Sequence, residues 1–143
     1  FSIISLLEMT MGRLIWSYFP NELWRDKLSD NRVEAAQKLY DERKRVGLEI
    51  DLADCLQLCD KCRILSTIDD MWKNWGFDSK NKTDVFFKNI TDLRNNLAHS
   101  QKAVFSDVSS IIRLCDIAED VITTNINTIS ADLWEAVIDY NRS

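Results

Sequence analysis

The residues best suited to chemistry lie together between Thr91 and Gln101, in the sequence TDLRNNLAHSQ. This stretch contains His99, the single histidine of the chain, five residues after Arg94. A histidine with an ordinary pKa of about 6.5 can take up or release a proton at neutral pH. An arginine stays charged and can bind a phosphate through its planar donors. Together the two side chains suit acid–base chemistry on a phosphate ester.

A helix through this stretch would decide where these side chains point. Apolar residues recur at helical spacing and predict one stripe facing the core: Phe86, Ile90, Leu93 and Leu97. Asn95 and His99, four residues apart, are then neighbours on the opposite face, and Arg94 lies about 140° from His99 around the helix. Taken alone, a histidine near a helix end and a solvated arginine are more often structural than catalytic. The case for chemistry therefore depends on the wider pattern.

That pattern, Arg94-Asn95-x-x-x-His99 on a helix of an all-helical chain, resembles the signature of the HEPN superfamily (higher eukaryotes and prokaryotes nucleotide-binding domains). In that signature an arginine, often with a polar residue after it, precedes a histidine by a few residues. The opening stretch, LLE followed by GRLI, is similar to the first helix of many HEPN domains. The resemblance spans most of the chain.

The resemblance implies a metal-independent endoribonuclease without a cofactor. In catalytic HEPN members the ribose 2′-hydroxyl attacks the adjacent phosphate and leaves a 2′,3′-cyclic phosphate. Arg94 and His99 are then the predicted catalytic residues, with Asn95 in support. A supporting carboxylate is expected from another helix, and three residues are candidates: Glu8, Asp69 and Asp70.

Two features of the family leave an alternative open. Many HEPN domains have lost activity and serve as dimerisation or partner-binding modules within larger regulatory or defence proteins. HEPN toxins that pair with a nucleotidyltransferase antitoxin typically carry a tyrosine two residues after the histidine, where this chain has Gln101. RNA is the predicted partner of an active enzyme, and an antitoxin or a fused regulatory domain is the further partner that a toxin or defence role would imply.

The positions of Arg94 and His99 also predict a homodimer. Side chains about 140° apart cannot easily converge on one phosphate from a single regular helix. Two copies of the helix meeting at a two-fold axis would form a composite cleft that combines residues of both chains. HEPN domains are similarly known for dimers with paired motifs at the interface. A basic region is expected at the rim of this cleft: Lys80, Lys82 and Lys88.

Three of the four cysteines allow a second kind of site to be considered. Cys55, Cys59 and Cys62 have the C-x3-C-x2-C spacing that holds iron–sulfur clusters in some enzymes, and a zinc site could use part of it. The same residues are i, i+4 and i+7 of one helical pattern, where free cysteines behave as small hydrophobic residues. The pattern therefore favours a buried stripe of reduced cysteines and no metal.

Charge and composition limit the class of protein. The 143 residues carry a net charge of −5, which opposes a broad electrostatic grip on nucleic acid. The stretch from Lys73 to Lys102 is nonetheless +3 and could attract a phosphate backbone locally. The length suits one domain, residues 1–143, and the start on Phe1 leaves open a longer parent protein. Without an apolar run of membrane length or a signal peptide, we expect a soluble cytoplasmic protein.

Helical periodicity with three Gly and one Pro predicts an all-α antiparallel bundle of about five to six helices. The predicted helices are Ser2–Tyr18, one capped by Asp30 or Asn31 and ending at Gly47, Asp51–Trp75, one beginning at Thr83-Asp84, one capped by Ser106 or Asp107, and a short last one from Ser130. The third, on the order of 35 Å long, is the expected spine. The charged run from Asp41 to Arg45 is expected to face outward.

Overall fold

The computed structural model describes residues 2–98 and 108–125. Within these residues all regular structure is helical and no strand occurs, so the predicted all-α bundle is confirmed. The α-helices are α1 (Ser2–Tyr18), α2 (Asp30–Arg45), α3 (Leu58–Leu65), α4 (Met71–Asn74), α5 (Lys80–Ala98) and α6 (Val108–Thr124). Two 3₁₀ helices, Pro20–Lys27 and Leu52–Cys55, precede α2 and α3 respectively.

The centre of the bundle is α1, which spans the predicted residues and packs against α3 and α6. Its apolar residues recur at helical spacing, and one face is almost wholly removed from solvent: Leu7, Met11, Leu14 and Ile15. After Pro20, the first 3₁₀ helix buries Trp24, so this connector covers part of the core. A helix that contacts neighbours on two sides fixes the positions of the others, and α1 has this role.

The prediction of one long helix from Asp51 to Trp75 was wrong. The segment forms the second 3₁₀ helix, then α3 and α4, with extended backbone at Leu56 between the first two. Polar side chains start the first two of these helices: the Asp54 carboxylate accepts a hydrogen bond from the Asp51 backbone N–H at 2.9 Å, and the Asp60 carboxylate accepts one from the Gln57 backbone N–H at 3.2 Å. At the other end of α3, the Thr67 hydroxyl donates to the Ile64 carbonyl at 2.6 Å. These local hydrogen bonds compete with a continuous helix and override its apolar periodicity.

The break at Leu56 also corrects the expected stripe of cysteines. Cys55 and Cys62 are buried, whereas Cys59 is exposed. Burial raises the pKa of Cys62 to about 12, so this thiol stays protonated at neutral pH. Among the described residues, no group of three or more His, Cys, Asp and Glu side chains is arranged to hold a metal ion.

Several predicted helix ends also differ from those observed. Ser29 caps α2, through a 3.4 Å contact from the Arg32 N–H to its hydroxyl, in place of Asp30 or Asn31. Gly47 ends this helix as predicted, with a positive φ of 82° that favours glycine. α5 begins at Lys80, three residues before Thr83, because the Ser79 hydroxyl accepts from its first turn.

Helix α6 buries one apolar face and leaves part of another exposed. Ala118, Val121 and Ile122 are buried, whereas Ile112 is 56% exposed. The proposed caps Ser106 and Asp107 and the helix predicted from Ser130 lie outside the described residues. None of the helices in 2–98 and 108–125 combines the length and the apolar character needed to cross a membrane.

Candidate functional site

The motif helix α5 turns its polar residues away from the core, as predicted. Phe86, Ile90 and Leu93 are buried, whereas Arg94 and Asn95 are exposed. The side chain of Leu97 lies outside the described residues, and so do His99 and Gln101. The structure therefore locates two of the three predicted site residues, and the role of His99 stays a prediction.

Arg94 and Asn95 line a cleft of about 430 Å³. The cleft lies where α1, α2 and α5 approach the segment 54–59 that leads into α3. Its floor contains apolar residues, and its charged and amide side chains come from four parts of the chain: Glu8, Arg43, Asp54, Gln57, Arg94 and Asn95. A concave site with a few convergent polar groups is the usual form of a binding site for a small ligand or a segment of a larger one.

Glu8 is the carboxylate that accompanies Arg94. Its Oε1 lies 3.5 Å from Arg94 Nε, with 46% of the arginine side chain and 25% of the glutamate side chain exposed. Asp69 and Asp70, the other two candidates, are exposed in the turn between α3 and α4, and neither lines the cleft. An ion pair this exposed contributes at most about 1 kcal/mol to stability. The pair places opposite charges next to each other in the lining of the cleft.

The backbone at Glu8 is held by a buried lysine. Lys61 of α3 is 5% exposed, and its ammonium donates a hydrogen bond to the Glu8 carbonyl oxygen at 3.2 Å. Burial lowers the pKa of Lys61, although the carboxylates of Glu8 and Asp54 act in the opposite direction. The contact ties α1 to α3 directly beneath the residue that faces Arg94.

We expect the burial of Lys61 to make stability depend on pH in a predictable direction. Because the folded-state pKa lies below the unfolded value of about 10.4, the unfolded chain holds more protons between the two values. The free energy of unfolding of the wild type, relative to that of Lys61→Met, should therefore rise with pH through that interval. Urea unfolding of both proteins at a series of pH values from about 7 to 10.5 measures this difference. The neighbouring thiols Cys55 and Cys62 are present in both proteins, so their own titration largely cancels in the comparison. Parallel plots of the free energy of unfolding against pH would contradict the prediction.

Arg43 is the cleft residue that sequence reasoning missed. The run from Asp41 to Arg45 was expected to face outward, but Arg43 is half-buried and its Nη1 lies 3.5 Å from the Asp54 carbonyl oxygen. The other four residues of the run are exposed. One signal was present in the sequence: Arg43 follows Ala36 and Leu39 at helical spacing and so continues the inward face of α2.

The three lysines expected at the rim lie elsewhere in a single chain. Lys82 lines an apolar pocket of about 490 Å³ between α5 and α6, beside Phe86. Lys88 lines a shallow depression of about 300 Å³ near Cys62, and Lys80 is exposed at the start of α5. Neither Lys82 nor Lys88 lines the cleft that contains Arg94. Among residues 2–98 and 108–125 of one chain, the cations that line this cleft are arginines.

The arrangement is suited to binding an anion and stabilising added negative charge on it. Arg94 offers a fixed, permanently charged donor group, and Asn95 offers an amide beside it on the same helix. Comparison of the chain with protein-family models, with curated proteins and with solved structures found no match.

Proposed function

We propose that this protein is an endoribonuclease of the HEPN type, which cleaves RNA through attack of the 2′-hydroxyl and needs no metal ion. The observation that carries the proposal is the position of Arg94. It was singled out by its spacing from His99, and it lies nearly half exposed in a polar cleft, with Glu8 beside it. A permanently charged guanidinium in a concave polar surface is the arrangement that binding of a phosphate requires, and this supports the proposal.

Each described residue has a definite part in the proposed reaction. Arg94 binds the scissile phosphate and stabilises the extra negative charge that develops in the transition state. Glu8, through its contact with Arg94 Nε, restricts the guanidinium to one orientation before the substrate arrives. Asn95 is placed to hydrogen-bond a phosphate or ribose oxygen. His99 is the predicted group that removes the 2′-hydroxyl proton or protonates the leaving oxygen.

The proposal includes a homodimer. Arg94 and Asn95 face away from the core of their own chain, and the predicted angle of about 140° between Arg94 and His99 is hard to reconcile with one phosphate on one regular helix. A second copy placed around a two-fold axis supplies the complementary residue. Light scattering at micromolar concentration should then give about twice the 16.7 kDa mass of the chain. A monomer would contradict the shared site and leave the fold unaffected.

The enzymatic proposal is tested with purified protein, a labelled single-stranded RNA and excess EDTA. We expect cleavage that leaves 2′,3′-cyclic phosphate ends, which mass spectrometry identifies. His99→Ala should remove this activity while the far-ultraviolet circular dichroism remains that of the wild type. Cleavage that requires an added metal ion, or that survives in His99→Ala, would contradict the proposal. Absence of any cleavage would favour the alternative, a partner-binding module.

A further inference from the structure

The arginines around the cleft differ in how their charge is neutralised. The guanidinium of Arg32 donates two hydrogen bonds to the Asp60 carboxylate, at 2.8 and 2.7 Å. Arg94 contacts Glu8 at 3.5 Å. For Arg43, no carboxylate of the described chain lies within 4.0 Å, and its contact with Asp54 is to the backbone carbonyl oxygen. Arg43 therefore enters the cleft without a carboxylate counter-ion among these residues.

A half-buried guanidinium without a carboxylate counter-ion favours an anionic ligand, even where it contacts a carbonyl oxygen as Arg43 does. Partial burial removes water from the charge, and a bound anion offsets that cost through charge-assisted hydrogen bonds. Phosphate matches the planar, forked donors of arginine well.

The two carboxylates that line the cleft have other partners than Arg43. Glu8 faces Arg94 across 3.5 Å. Asp54 accepts a hydrogen bond from the Asp51 N–H at 2.9 Å through its Oδ2, so this carboxylate is engaged at the start of its own 3₁₀ helix. An anion beside Arg43 would contact the part of the cleft that α2 contributes, whereas Arg94 belongs to the part contributed by α5.

We infer that Arg43 forms a second phosphate position in the cleft, which holds a phosphate of the RNA strand next to the one at Arg94. The inference rests on the proposed function and extends it, because it assigns a substrate-binding residue on α2 that lies outside the motif helix. Arg43 binds and positions the strand, whereas Arg94 acts on the reacting phosphate. The cleft volume of about 430 Å³ lies within the range of about 300–1,000 Å³ typical of ligand sites.

The test separates binding from cleavage by using a fluorescein-labelled 2′-O-methyl oligoribonucleotide, which lacks the attacking hydroxyl. Fluorescence anisotropy gives Kd over a series of salt concentrations. We expect Arg43→Gln to raise Kd about fivefold to tenfold at low salt and to reduce the slope of log Kd against log salt by about 0.7, the loss of one phosphate contact. Arg43→Lys, which keeps the charge, should retain the slope and weaken binding less.

Arg45→Gln is the matched control, because Arg45 is on the same helix and its Nε also lies 3.5 Å from a backbone carbonyl oxygen, that of Asp41. It is exposed and lies outside the cleft. Equal effects of Arg43→Gln and Arg45→Gln, or no binding by the wild type, would overturn the inference. Binding that depends on Arg43 in a protein that cleaves no RNA would support the phosphate position and reject the nuclease. RNA cleavage with a KM that Arg43→Gln leaves unchanged would support the nuclease and reject the phosphate position at Arg43.

Discussion

Replacing Arg94 with alanine is expected to slow RNA cleavage about a thousandfold, the usual effect of removing a charged group that stabilises a phosphoryl transition state. The same change should lower the free energy of unfolding by less than about 1 kcal/mol, because the pair with Glu8 is exposed to solvent. Single-turnover cleavage of a defined RNA measures the first quantity, and urea unfolding measures the second. A large loss of activity with little loss of stability is the signature of a catalytic residue.

Two further variants sharpen this prediction. Lys38→Ala removes an exposed cation from α2, outside the cleft and outside the basic region expected at the rim of a dimer, and should leave cleavage within about twofold of the wild type. Glu8→Gln keeps the size of the side chain but removes its charge, and we expect an intermediate loss of about tenfold because Arg94 is less restricted. If Arg94→Ala retains activity comparable to Lys38→Ala, the cleft around Arg94 is not the site of cleavage.

Among the ion pairs of the described residues, the one formed by Asp60 is expected to contribute most to stability, and Asp60→Ala should lower the free energy of unfolding by about 3 kcal/mol. Asp60 is 5% exposed, accepts both hydrogen bonds from Arg32, and caps the start of α3 through the Gln57 N–H. Removing one partner of a buried ion pair typically costs about 3–5 kcal/mol. The Arg32 side chain is 35% exposed, so water compensates part of this loss, while the lost helix cap adds about 1 kcal/mol.

An exposed ion pair of similar length provides the comparison. Arg25 and Glu22 lie 2.9 Å apart, but both side chains are 47% exposed. Glu22→Ala should therefore lower the free energy of unfolding by no more than about 0.5 kcal/mol. Urea unfolding of the two variants and the wild type in the same buffer measures the loss in free energy of unfolding for each variant. Similar losses in Asp60→Ala and Glu22→Ala would show that burial of the Asp60 carboxylate contributes little.

Some features of this protein follow from the sequence alone. Apolar residues at helical spacing, with few glycines and one proline, were enough to predict the helical class and the full extent of α1. The same spacing predicted that α5 buries Ile90 and Leu93 and exposes Arg94 and Asn95. These properties are local, since the face of a helix on which a side chain lies depends only on its distance along the chain from its neighbours.

The tertiary structure decided where the chain breaks and which distant residues meet. Glu8 and Arg94 are far apart in the sequence, and no spacing rule could rank Glu8 above Asp69 or Asp70. Arg43 belongs to a charged run whose composition indicates solvent, yet the packing of α2 beside the segment 54–59 brings it into the cleft. Contacts between separate elements depend on how whole helices pack, and that packing is set by the sum of many weak interactions rather than by any local pattern.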